Sequence, residues 1–122
     1  MLVGLLVLPA RAAEKKWYEA AEKMRQLAIA LGDQAYGAVL VAGDQIIGEA
    51  PSRVRRRNDP EAHAEREAIR DALRRAGPEK VAGSVLYSTA RPCRFCERAA
   101  ANAGVARMIS GAELRDLGAP RP

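Results

Sequence analysis

The 122-residue chain predicts an α/β fold, a three-layer arrangement with helices on both faces of a sheet of four strands. Two observations predict it. Segments with apolar residues at helical spacing alternate with short apolar runs of strand length, in the order helix, two strands, helix, strand, helix, strand. The only histidine and the only two cysteines fall in His63-Ala64-Glu65 and Pro92-Cys93-Arg94-Phe95-Cys96, each at the start of a predicted helix. Helix N-termini that meet at strand ends are where α/β sheets place their sites.

Residues 1–12 read MLVGLLVLPARA. Leu2 to Leu8 is apolar but too short to span a bilayer. Ala10 and Ala12 form an A-x-A cleavage pattern, so these residues resemble a secretory signal peptide that lacks a basic start. Export follows from that reading; a cytoplasmic protein with an N-terminal extension is the alternative. Residues 13–122 then form one domain.

Glu14 to Leu31 predicts a helix, because Trp17, Ala20, Ala21, Met24, Leu27, Ala28 and Leu31 recur at three- and four-residue spacing. Gly32 is its stop. Ala35–Val41 and Gln45–Glu49 predict a hairpin about Ala42-Gly43-Asp44. Ala50 to Asn58 is a loop carrying Arg53, Arg55, Arg56 and Arg57. Asp59-Pro60 predicts a helix start, with Gly77-Pro78 as the stop. Ser84–Thr89 predicts a strand, Pro92 opens a third helix through about Ala103, and Arg107–Ser110 is a last short strand.

The composition is that of a globular protein, with 48% hydrophobic and 29% charged residues, which excludes a disordered chain. The net charge of +5 suits an anionic partner, while only 4% aromatic residues argue against a surface built on repeated base stacking.

Two cysteines three apart share a helix face and can grip one ion. With His63 they make three protein ligands, and a fourth Cys or His is absent from the chain. Structural zinc sites are closed by four protein ligands, whereas catalytic ones keep the fourth position for water. Glu65 stands two residues from His63, placed to move protons beside that water. The competing chemistry for Cys93-x-x-Cys96 is a thiol redox pair in an exported oxidoreductase, which leaves His63-Ala64-Glu65 without a role.

The order H-x-E…P-C-x-x-C is a signature of zinc base deaminases. With Gly37-Ala38-Val39-Leu40-Val41, Asn58-Asp59-Pro60-Glu61-Ala62-His63-Ala64-Glu65 and Leu86-Tyr87-Ser88-Thr89, it makes the chain resemble the cytidine/deoxycytidylate deaminase superfamily. The branch it resembles holds tRNA adenosine deaminases, guanine deaminases and small nucleoside deaminases. The resemblance implies a three-layer α/β/α sheet, one zinc per chain on His63, Cys93 and Cys96, and Glu65 as proton shuttle. It implies a substrate pocket lined by the backbone around Ala64, by Ser88 and Thr89, and at positions 52 and 91. The family commonly has Asn where Ser52 stands and Glu where Arg91 stands. Glu113 to Pro122 is too short for both the family's fifth strand and its C-terminal helix, which favours a nucleobase, nucleoside or nucleotide over folded tRNA. Deamination of a base in tRNA or single-stranded nucleic acid is the alternative. Homodimers through the motif helices are usual in the family; here Ala99, Ala100 and Ala103 would supply a small-residue contact surface.

Overall fold

The structure is a computed structural model that describes residues 13–122. The signal-peptide expectation falls on residues 1–12, outside the described residues. Among the described residues no helix is long and apolar enough to cross a membrane.

The elements are α1 (Lys15–Ala30), β1 (Gly37–Ala42), β2 (Gln45–Pro51), α2 (Ala64–Ala76), α3 (Pro78–Val81), β3 (Val85–Ser88), α4 (Arg94–Ala103), β4 (Arg107–Ser110) and β5 (Arg115–Gly118). The sheet runs β2-β1-β3-β4-β5. β1 is antiparallel to both β2 and β3, β3 is parallel to β4, and β4 is antiparallel to β5.

The three layers follow from strand alternation. Along β1, Ala38 and Leu40 join Leu86, Met108 and the alanines of α2 and α4 in one core. Val39 and Val41 point the other way and pack with Tyr87, Ile109 and Ala21 beneath α1. Burial on both faces explains why β1 reads as an unbroken apolar run and not as an alternation.

Small residues set how closely the helices approach. A Cβ at Gly48 would lie 2.4 Å from the Ala68 carbonyl oxygen and 2.6 Å from the Ala72 amide, both on α2. A Cβ at Gly37 would lie 2.3 Å from the Ala21 carbonyl oxygen of α1. Ala64, Ala68 and Ala72 line the buried side of α2. The core is therefore made by close backbone approach more than by large side chains, in keeping with the scarcity of aromatics.

Gly32 ends α1 as expected, with φ at +76° just past the cap residue Leu31. The expected apolar stripe of α1 is buried only in part, since Leu27 and Leu31 are exposed. Other boundaries also differ from the sequence expectation. α2 starts at Ala64, with His63 as an extended N-cap, and not at Asp59-Pro60. Asp59 instead closes a turn of its own: its carboxylate accepts from the Glu61 amide and its carbonyl from Ala62. Asp-Pro suits such a turn as well as a helix start. Likewise Cys93 is the extended N-cap of α4, which begins at Arg94.

The four-strand expectation is corrected to five. Arg115–Gly118 pairs antiparallel with β4, and Arg107 on β4 ion-pairs with Asp116 at 3.0 Å. The chain then turns back onto α4, where the Glu97 carboxylate accepts from the Arg121 amide and guanidinium at 2.9–3.0 Å. Arg121 holds that carboxyl at about pKa 2. Arg94 donates to the carbonyls of Arg121 and Pro122. Glu97 and Arg94 lie on the first turn of α4, so this clamp fixes the end that carries the cysteines. Ala100, expected on a contact surface, is fully buried in the core, leaving Ala99 and Ala103 half-buried.

The close approach at Gly48 is testable. Gly48→Ala pushes α2 off the sheet and is expected to cost about 1–3 kcal/mol, as overpacking does. For a domain of this size that lowers the unfolding midpoint by roughly 5–15 °C. A calorimetric midpoint equal to that of the unaltered chain would contradict the packing.

Candidate metal centre and its cavity

Two helix starts carry the chemistry to one place. β2 leads through the 52–63 loop to His63 at the head of α2, and β3 leads through Thr89–Pro92 to Cys93 at the head of α4. β1 runs between β2 and β3, so both loops leave the same end of the sheet. Each helix presents its positive end there.

The His63 Nδ1 lies 3.3 Å from Cys96 Sγ and 3.6 Å from Cys93 Sγ. All three ligand atoms lie within 4.8 Å of one another. Tetrahedral zinc with ordinary bond lengths puts nitrogen and sulfur about 3.5–3.6 Å apart. Both nitrogen–sulfur distances therefore match a zinc site, and the three residues can hold one ion. The His63 and Phe95 rings pack nearly perpendicular with centroids 6.4 Å apart, and the Arg66 guanidinium lies over the Phe95 ring at 4.6 Å. Phe95, the residue inside the C-x-x-C turn, thus steadies the imidazole.

Cys96 is buried and Cys93 is exposed, and both are free thiols. Burial pushes the Cys96 thiol well up, with the Glu65 and Cys93 charges adding to the effect. Such a thiol ionises for a bound cation and not for disulfide exchange, which opposes the redox-pair reading.

Glu65 is buried, and desolvation pushes its carboxyl above the ordinary carboxylate range. The single Ser88 hydroxyl proton is shared between the Ala90 carbonyl, its nearer acceptor, and the Glu65 carboxylate at 3.4 Å. Glu65, His63 and Cys93 face a cavity of about 260 Å³ together with Gln34, Tyr36, Ala90 and Arg91. This is just below the roughly 300–1,000 Å³ of ordinary ligand clefts and suits a planar group the size of one base. A larger cavity, about 380 Å³, lies beneath α1 beside Trp17 and Tyr87, away from the histidine and cysteines.

The remaining sequence-predicted residues fall as follows. Arg91 stands exposed at the cavity. Ala64 is fully buried, and Ser88 reaches the cavity only through Glu65. The Thr89 hydroxyl accepts from the Gly37 amide, and its side chain lines a neighbouring cleft. Ser52 is buried and donates to Asp33 Oδ1 at 3.1 Å. Asp33 also accepts from the amides of Gln34, Arg55 and Arg56 at 2.8–3.2 Å. Three backbone donors and one hydroxyl hold its carboxyl low against the cost of burial. Asp33 therefore ties the arginine loop to the segment that supplies Gln34 and Tyr36. Sequence reasoning missed Asp33, Gln34 and Tyr36. An Asp directly after the Gly32 helix stop was the available signal for the first; the other two depend on which strand ends meet.

Comparison with known proteins places this centre. The family model described as the cytidine and deoxycytidylate deaminase zinc-binding region matches residues 11–112. A tRNA-specific adenosine deaminase of Buchnera aphidicola (subspecies Schizaphis graminum) is 36% identical over 101 residues, covering 83% of this chain and 67% of that one. A solved structure from work on A-to-I editing by tRNA:A34 deaminases superposes with a TM-score of 0.73 at 34% identity, covering 78% of this chain and 73% of the other. Bacillus subtilis guanine deaminase superposes at 0.75 with 29% identity, covering 82% and 64%. The chain spans 67%, 65% and 54% of the length of the first three curated relatives it matches.

The purified protein is expected to carry about one zinc per chain, the stoichiometry of a three-ligand catalytic site. Cys96→Ser is expected to lose it, and chelation to lower the unfolding midpoint, because ligand bonds join α2 to α4. Elemental analysis and thermal unfolding check both outcomes; a metal-free preparation that is folded and active would contradict them.

Proposed function

The chain belongs to the cytidine and deoxycytidylate deaminase family, and from that premise we propose that it is a zinc-dependent hydrolytic deaminase of a nucleobase, nucleoside or nucleotide. The observation that carries the proposal is a cavity of base size lined by His63, Cys93 and the buried Glu65.

The reaction exchanges the exocyclic amine of the base for oxygen from water and releases ammonia. His63, Cys93 and Cys96 hold the metal. Bound there, zinc lowers the pKa of water toward about 7 and so supplies a nucleophile at neutral pH. Glu65 would carry one proton from the attacking water to the ring nitrogen of the base and the second, from the newly added hydroxyl, to the departing amine, leaving a carbonyl and ammonia. Its burial suits that work, since desolvation raises the carboxyl's pKa and makes it a readier proton acceptor. Ser88 orients the carboxylate. The base must be accessible, so a paired duplex is not a substrate until the base is extruded.

A second reading is deamination of a base in tRNA or another single strand. The tRNA-acting relatives favour it, as does the arginine loop, where Arg55 and Arg56 keep exposed side chains while Arg53 and Arg57 bind the buried Glu67 at 3.0 and 2.8 Å. Ammonia release across free bases, nucleosides, nucleotides and short RNA or DNA strands separates the two; activity on a strand through several phosphates falls steeply with salt. A homodimer built on the exposed faces of α2 and α4, with Phe95 exposed at the junction, completes the proposal; sedimentation at micromolar concentration tests it.

Glu65→Gln keeps the size of the side chain and removes the proton carrier. Acid–base catalysis contributes about 10²–10⁴ in rate, and one group here serves several transfers, so turnover is expected to fall by the upper end of that range or more. Zinc content and fold are expected to stay. More than about a tenth of the original turnover would end the proton-shuttle assignment.

A further inference from the structure

One wall of the base-sized cavity is made of the groups already assigned, His63, Glu65 and Cys93. The other carries three polar side chains with no assigned role: Gln34, Tyr36 and Arg91. None of the three side chains makes a hydrogen bond or ion pair among the described residues. Several other arginines near the two helix starts are, by contrast, already paired. Arg53, Arg57 and Arg70 share the Glu67 carboxylate, and Arg94 and Arg121 share Glu97. Arg91 is exposed at the cavity mouth and keeps its guanidinium free.

The three side chains match the parts of one kind of molecule. Tyr36 is 47% exposed and offers a ring face on which a base can stack. The Gln34 amide offers a donor and an acceptor, the pairing that a base edge presents. A guanidinium forks onto a phosphate through two parallel hydrogen bonds. A free base or a nucleoside carries no anion to fill that fork. Asp33 adds to the same side: it pins the amides of Arg55 and Arg56, both exposed residues, in the loop beside Gln34.

We propose that Arg91 is a specificity-determining residue that makes this site prefer a phosphorylated nucleoside over the nucleoside or the free base, with Gln34 and Tyr36 holding the base. The inference rests on the deaminase reading for the identity of the base-binding cavity, and it adds the substrate class.

The test is equilibrium binding to the zinc-loaded Glu65→Gln protein, measured by titration calorimetry, so that bound ligand is not consumed. The probes are cytosine, adenine and guanine, their nucleosides, their 5′-monophosphates, and a short single-stranded oligomer. At least one monophosphate is expected to bind about tenfold or more tighter than its nucleoside, as a hydrogen bond to a charged group provides. Adding Arg91→Ala is expected to bring that ratio close to one, and Arg91→Lys to restore part of it. Lys23→Ala, which removes an exposed charge on α1, is expected to keep the ratio. If the oligomer binds better than every monophosphate and Arg91→Ala abolishes that advantage, the phosphate belongs to a strand and Arg91 keeps its role. Equal affinity for nucleoside and monophosphate, an advantage that survives Arg91→Ala, or no binding of any probe would overturn the inference. Phosphate-selective binding without ammonia release by the unaltered protein would sink the deaminase reading and leave Arg91 as a phosphate contact.

Discussion

Everything at this site depends on two helices starting at one point. His63 caps α2 and Cys93 caps α4, both with extended backbone, so their side chains project from the helix ends toward each other. Cys96 follows one turn later and closes the cluster from the buried side. Three ligand atoms within 4.8 Å require both helix axes to be held firmly, because a small slide of either would spread the donors. Gly48 lets α2 lie against the backbone of β2. The Glu97–Arg121 clamp and Arg94 hold the first turn of α4 from the far end of the chain. Much of the fold is thereby read as support for a metal centre that needs ångström-level placement.

The same geometry sorts the charges. Desolvation raises the Glu65 carboxyl, while Asp33, as little exposed to solvent, is held low by its four donors. Two buried carboxyls, Asp33 just after α1 and Glu65 on the first turn of α2, are thus shifted in opposite directions. Environment, and not residue type, separates them. Arg53 and Arg57 ion-pair with the buried Glu67 and so fix the arginine loop to α2.

The sequence made the metal ligands legible because they are rare: one His and two Cys, at helix starts, left little choice. The two-faced burial of β1 and the Gly32 stop were legible for the same kind of reason, since a six-residue apolar run and a left-handed glycine have few structural uses. The start of α2 was not, because Asp59-Pro60 serves a turn as readily as a helix. β5 escaped because Arg-Asp-Leu-Gly has no apolar alternation; its pairing comes from β4 and from the Arg107–Asp116 bridge. Ser52 was expected at the substrate and binds Asp33, nineteen residues earlier, a long-range partner that no local pattern reveals. Gln34 and Tyr36 reach the cavity because β1 enters where β3 leaves, with Ala38 opposite Ser88, and pairing of that kind is not written in either segment alone.

The central claim is that one imidazole and two thiolates hold a zinc ion whose fourth position stays open. X-ray absorption at the zinc edge of the loaded protein tests it directly. The account predicts two sulfur neighbours at about 2.3 Å and two lighter neighbours at about 2.0–2.1 Å, one from His63 and one from solvent. A shell of four sulfurs, which would require two chains to share the ion, or a shell without sulfur would contradict it.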